Sequence, residues 1–99
     1  MIPTPANFQV IRSDDRQSAI FAWDAPAPIA TLVSYTINQS QRNNGLGYTV
    51  GAVVPHNPAS PRQYTVIDNL DPDQQYSFSM FATDEDSNWS ALTPVVTDF

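Results

Sequence analysis

Over short stretches of this chain, apolar and polar residues alternate with a period of two, and prolines or clusters of Asp, Asn and Ser separate those stretches. A period of two sends successive side chains to opposite faces of an extended backbone, so each stretch reads as a half-buried strand. The first predicted strand is Asn7 to Arg12, stopped by Ser13-Asp14-Asp15. The second runs from Ser18 to Asp24 with Ala19, Phe21 and Trp23 on one face, and Ala25-Pro26-Ala27-Pro28 ends it, because proline cannot donate to a ladder. The third covers Leu32 to Ser40, with Val33, Tyr35 and Ile37 expected to share a face. Arg42-Asn43-Asn44-Gly45 then offers residues that tolerate left-handed backbone, as a tight hairpin requires, and the fourth strand, Tyr48 to Val54, pairs back beside the third.

Three prolines between Pro55 and Pro61 exclude regular pairing, so His56 to Arg62 is expected to be a long exposed loop. The fifth strand spans Gln63 to Asp68. Its inward set is either Tyr64 and Val66 or Thr65 and Ile67, since a slip of one residue exchanges the faces. The sixth runs from Gln75 to Asp84 with Tyr76, Phe78, Met80 and Ala82 facing one way, and the seventh from Thr93 to Phe99. Seven short strands and no helical period predict an all-β, antiparallel sandwich. A chain of 99 residues is expected to form one such domain, and two Trp, four Tyr and five Phe supply large side chains for the space between two sheets.

Charge narrows the partners. Ten acidic residues against four Arg and no Lys give a net charge of −6, the wrong sign for a phosphate backbone or an anionic lipid surface, so neither nucleic acid nor membrane is an expected partner. No apolar run approaches the roughly eighteen residues needed to cross a bilayer as a helix, and the N-terminus lacks the basic and apolar regions of an export signal. Absence of cysteine removes disulfides, thiolate metal sites and cysteine nucleophiles together.

Several motifs together resemble the fibronectin type III family over nearly the whole chain. Trp23 followed by Asp24-Ala25-Pro26 is similar to the family's buried tryptophan and proline-ended strand, and Ser34-Tyr35-Thr36-Ile37 to its third-strand Tyr-x-Val/Ile. Leu70-Asp71-Pro72-Asp73-Gln74-Gln75-Tyr76 resembles the turn between the fifth and sixth strands, in which the leucine plugs the core and the tyrosine hydroxyl bonds nearby backbone. Phe81-Ala82-Thr83-Asp84 through Ser87-Asn88-Trp89-Ser90 resembles an ending common in microbial modules, with Ser87 where glycine is usual. The resemblance implies an immunoglobulin-like seven-stranded sandwich, one sheet of strands A, B and E and the other of C, C′, F and G, with Trp23, Tyr35, Leu70 and Tyr76 in structural roles. It leaves function open, because this fold hosts receptors, spacers, adhesins and virion parts.

Catalysis has little to work with. Acid–base and nucleophilic mechanisms need paired, tuned groups, and the one histidine, His56, sits in the proline-rich segment, so no enzyme activity and no cofactor are expected. The carboxylate pairs Asp14/Asp15 and Asp84/Asp86 fall in turns, where aspartate bonds local backbone. In the implied topology Asp14, Asp15, Asp71 and Asp73 share one pole, with Asp98 on the strand that ends there. Five carboxylates so placed would suit calcium, although their spacing matches no calcium loop and turn formation also accounts for them.

Exposed aromatic rings suit a binding module, since a flat ring stacks on a sugar or anchors a protein contact. Trp89 either lids a pole of the core or is such a ring. Phe81 falls on the outward face of the sixth strand, and Tyr48 begins the returning strand of the hairpin. Thr36 and Asn38 are outward positions of the same sheet. Asn38 and Asn88 head Asn-x-Ser sequons, read here as chance, and there is no Arg-Gly-Asp tripeptide. The chain reads like a complete small protein, and the leading expectation is a non-catalytic assembly component: a virion-associated decoration or appendage protein, as in bacteriophages, that binds a repeating capsid or tail lattice. The alternative is an accessory carbohydrate-binding or spacer module of a secreted polysaccharide-degrading enzyme, placed outside the cell.

Overall fold

The computed structural model describes residues 2–26, 32–41 and 49–97. Seven strands follow one another: β1 (Ala6–Arg12), β2 (Ala19–Asp24), β3 (Leu32–Gln41), β4 (Thr49–Pro55), β5 (Arg62–Ile67), β6 (Tyr76–Asp84) and β7 (Val96–Thr97). They form an antiparallel sheet of order β1-β2-β5 and a second of order β4-β3-β6-β7, which are the A-B-E and C′-C-F-G layers implied by the resemblance. No helix occurs among the described residues. The predicted seventh strand shrinks to Val96–Thr97, since Pro94 removes a backbone donor and the stretch before it follows another bonding pattern; Asp98 and Phe99 lie outside the described residues.

Between the layers Phe21, Trp23, Tyr35, Ile37, Phe78 and Met80 are fully buried. Each is worth about 1.5–3 kcal/mol in removed apolar surface. Phe21 meets Phe78 edge-on at 4.8 Å between centroids, and Trp23 meets Tyr35 at 5.1 Å, the arrangement favoured by ring quadrupoles. Leu70 and Tyr76 close one end of this core.

Register shows where simple alternation breaks. Leu32 pairs with Asp84 and Ser34 with Thr83, so two residues of β3 oppose one step of β6. That bulge turns Leu32 into the core and leaves Val33 half exposed, which overturns the expected Val33–Tyr35–Ile37 face. A second irregularity lies between Ile37, paired with Ala52, and Asn38, paired with Val50, and makes Gly51 the extra residue of β4. A Cβ on Gly51 would come within 2.7 Å of Gln39 Oε1 and 3.2 Å of Ile67 Cδ1, so close approach of the neighbouring side chains requires glycine there. In β5 the register against β2 points Tyr64 and Val66 to solvent, and Thr65 and Ile67 are the inward pair.

Candidate functional site

The pole shared by the β1–β2 and β5–β6 turns is built on the tyrosine corner. Tyr76 Oη accepts the Asp71 N–H at 2.9 Å, while the Arg12 guanidinium lies over the Tyr76 ring at 5.1 Å. Arg12 donates to the carbonyls of Gln74 and Asp71, and Arg16 to those of Pro72 and Gln74, so two cations stitch one turn to the other. The calcium arrangement suggested by Asp14, Asp15, Asp71 and Asp73 does not form. Among the described residues no three Asp, Glu, His or Cys side chains gather for a metal ion. Instead Asp15 accepts from Ser13 Oγ and the Gln17 N–H, and Asp71 from the Asp73 N–H, each shaping its own turn. The Ser13 hydroxyl, with the Gln17 amide, holds the Asp15 carboxyl below its ordinary pKa.

At the opposite pole Asp84 organises the β6 turn. It accepts from the backbone N–H of Asn88 and of Asp86 and from Asn88 Nδ2, at 2.9–3.1 Å. The Asn88 amide is the largest influence holding its carboxyl below the ordinary range. Ser87, standing where glycine is usual, takes φ 63°. The chain then returns beside β6 with hydroxyls replacing backbone acceptors. Ser90 Oγ accepts the Ala82 N–H and Thr93 Oγ1 the Met80 N–H, while the Ser90 and Thr93 amides donate to the Ala82 and Met80 carbonyls.

His56 closes the same region. Its Nδ1 shares a 2.8 Å hydrogen bond with the Tyr35 hydroxyl, and the His56 backbone N–H donates to the Val33 carbonyl. Burial pushes the Tyr35 hydroxyl pKa up, and the nearby Trp23 indole opposes this weakly; the indole Nε1 is itself buried without a hydrogen bond of normal geometry. The segment from His56 to Arg62 is tethered more than its prolines suggest, because buried Gln63 accepts the Asn57 N–H and donates to the carbonyls of Asn57 and Ser60.

Both sheets leave apolar side chains open on their outer faces: Ile11, Ile20, Tyr64 and Val66 on the three-stranded sheet, and Val50, Val53 and Trp89 with the four-stranded one. Thr36 stands between Val53 on β4 and Phe81 on β6, and Asn38 between Val50 and Ser79. The Phe81 ring lies 6.0 Å from that of Trp89, which is 63% exposed and bridged to Thr83. Val50 and Val53 are each 63% exposed, and Leu92 and Val95 are also open. Trp89, Phe81, Thr36 and Asn38 therefore share one face; Tyr48 lies outside the described residues. The valine rim escaped the sequence reading because residues 50 and 53 should point to opposite sides, and only the bulge at Gly51 turns both outward. One signal was readable: 32–41, 49–55, 76–83 and 89–97 contain no Asp, Glu, Lys, Arg or His.

Such an arrangement, two antiparallel sheets closed by a tyrosine corner with Asp15, Asp71 and Asp84 each bonded into its own turn, defines an immunoglobulin-like β-sandwich module. The fibronectin type III domain model matches residues 3–96, and the chain belongs to the fibronectin type III family, whose members are generally non-catalytic binding or spacer modules. No curated protein matches the chain in sequence. Among solved structures it is similar to an Fn3-like protein from Clostridium thermocellum, with TM-score 0.73 and 14% identity over 97% of this chain and 90% of that one. It is similar to domains of titin, with TM-score 0.74 and 16% identity over 100% and 32% of the two chains. A pectate lyase from Pectobacterium carotovorum gives TM-score 0.71 and 10% identity over 93% and 26%. At these identities the likeness is one of fold, and this chain spans a third or less of the latter two.

Proposed function

We propose that the chain is a docking module that holds a protein partner against the outer face of its four-stranded sheet, and that this partner is a repeating capsid or tail lattice which it decorates at a virion surface. One observation carries the docking reading. Among the described residues the outer face of the four-stranded sheet bears no charge, exposes Val50, Val53 and Trp89 and presents a Phe81–Trp89 ring pair, whereas ordinary solvated faces intersperse charges. Charge depletion with aromatic enrichment is the composition of interface cores. The virion assignment is the narrower step and is tested directly. Mixed with its parent particle or a co-encoded protein, the wild-type chain is expected to associate saturably, and Val53→Arg to weaken that association about tenfold or more by burying an unpaired charge. No saturable association with any of them would sink it.

A second reading draws on the same fold occurring within a pectate lyase chain: an accessory or spacer module of a secreted polysaccharide-degrading enzyme, with Trp89 stacking on sugar rings. Polysaccharide titration followed by tryptophan fluorescence would then show a saturable change that Trp89→Ala abolishes. A flat response would leave the protein-docking reading alone.

A further inference from the structure

We infer that an extended segment of a protein partner adds to the free edge of β5 as a fourth strand of the β1-β2-β5 sheet. The segment runs antiparallel to β5 and, from its N-terminus, places a basic residue, two apolar residues and an acidic residue at alternate positions. This surface belongs to the other sheet and stands independently of the docking reading above.

Four strands border the sheet edges: β1 and β5 in one sheet, β4 and β7 in the other. Three of these edges are interrupted. Asn7, at φ 53°, marks an irregularity of β1 between Ala6 and Gln9; β4 carries the bulge at Gly51 and ends in Pro55; β7 has two residues, behind Pro94. Bulges and prolines spoil an edge for further pairing. β5 has neither, and Arg62 to Ile67 pair with Asp24 to Ala19 without a break.

The ladder fixes which groups β5 presents. The Ala25 N–H donates to the Pro61 carbonyl and the Leu70 N–H to the Gln17 carbonyl, so by alternation Gln63, Thr65 and Ile67 bond β2, and the backbone of Arg62, Tyr64 and Val66 faces the free edge. Ser60 Oγ already donates to the Arg62 carbonyl. Tyr64 and Val66 keep their N–H and C=O groups without a partner among the described residues. Each is placed to exchange two hydrogen bonds with one residue of an antiparallel strand.

Side chains specify the occupant. Tyr64 and Val66 stand exposed on the outer face beside Ile20 and favour apolar residues opposite them. Arg62 spends Nη1 on the Asn7 carbonyl and Asp24, and one Nη2 hydrogen on Gln9, which leaves Nε and the second Nη2 hydrogen for a carboxylate. Asp68 shares that face by alternation, is exposed, and has a carboxylate that bonds nothing among the described residues, so it suits a cation.

Space favours a lone strand. The rings of β2 lie over β3 and β6, and Gly51 of β4 lies beside Ile67 of β5, so the next strand position beyond β5 is above β4. There the inward-facing Ala52 and Val54 are only half-buried, and a fourth strand would cover them. A second whole sandwich brought edge to edge would drive its own β4 into the space this β4 fills, and both copies carry −6.

Amide NMR of the intact chain, titrated with an end-capped peptide copying residues 62–68, tests this, because that sequence itself carries the required pattern. Saturable shifts and slowed hydrogen exchange are expected at the Tyr64 and Val66 amides, with Kd on the order of 100 μM, since a flexible strand loses ordering entropy on binding. Exchanging the peptide's terminal basic and acidic residues should weaken binding about fivefold or more, by setting like charges opposite each other. Asp68→Arg should weaken the original peptide about threefold and recover affinity for one that begins with an acidic residue. Val53→Arg, in the face invoked earlier, should leave peptide binding within about twofold, so the two readings fail separately. No saturable change up to about 2 mM peptide, or equal binding of the charge-exchanged peptide, would overturn the inference. Protection of the same amides that rises with protein concentration alone would make a second copy the occupant and overturn it as well.

Discussion

Among the described residues, four non-glycine positions sit in left-handed backbone: Asn7, Arg16, Asn69 and Ser87. Asparagine tolerates that region through local bonding of its amide, whereas Ser87 has less compensation. It is held there because Asp84 draws in the amides of Asp86 and Asn88 on either side. Relieving about 1–2 kcal/mol of left-handed strain, against about 0.5–1 kcal/mol of added unfolded-state entropy, makes Ser87→Gly a stabilising change of about 0.5–1 kcal/mol. A higher urea midpoint at unchanged slope is the expected result, and a lower midpoint would show that the Ser87 side chain contributes to the turn.

Among the strands, β6 carries the most dependence on its neighbours. It pairs with β3 along its whole length, but among the described residues its other edge has a regular ladder only at Ser77 and Phe78. Ser90 and Thr93 complete that edge with side-chain oxygens. Thr93→Val keeps the shape of the side chain and removes the acceptor of the buried Met80 N–H, a loss worth about 1–3 kcal/mol. Amide exchange at Met80 should accelerate with the fall in stability; an unchanged exchange rate would mean that another group serves that amide. The same segment bears Trp89, Leu92 and Val95, so these hydroxyls also set the position of the aromatic rim.

Among the described residues charge is distributed unevenly, with most aspartates in turns, Asp24 paired with Arg62 on the three-stranded sheet, and none on the outer face of the four-stranded sheet. Among the described residues, three carboxyls are held below their ordinary values: Asp15 by Ser13, Asp24 by the Asn7 amide and then Arg62, and Asp84 chiefly by the Asn88 backbone amide. A depressed folded-state pKa stabilises fully above the unfolded value near 4 and is lost as pH falls through the lower folded values. Stability should therefore be level down to about pH 5 and decline below about pH 4. Asp84→Asn should start lower at neutral pH and decline less steeply in acid. Urea midpoints measured across that interval check both slopes, and parallel acid limbs would remove Asp84 from the account.

Strand identities, the buried set of the sixth strand and the leucine–tyrosine corner were legible because each is local: side-chain period, proline positions and a turn of fixed length operate within a few residues. The candidate face was half legible, through Thr36, Asn38 and Phe81, which follow from simple alternation. Val33, Val50 and Val53 were not, because a bulge shifts parity by one residue and arises from how a strand meets its neighbour, through Gly51 under Gln39 or Leu32 opposite Asp84. At the acidic pole, turn formation and a cation site were both compatible with the spacing, and only the packing separates them. Aspartates near one another in topology remain separate ligands when Arg12 and Arg16 reach across from the facing turn, and contacts spanning more than fifty residues leave no trace in spacing along the chain. Side-chain period thus settled what each strand is, and only packing between strands settled which residues the finished sandwich shows to a partner.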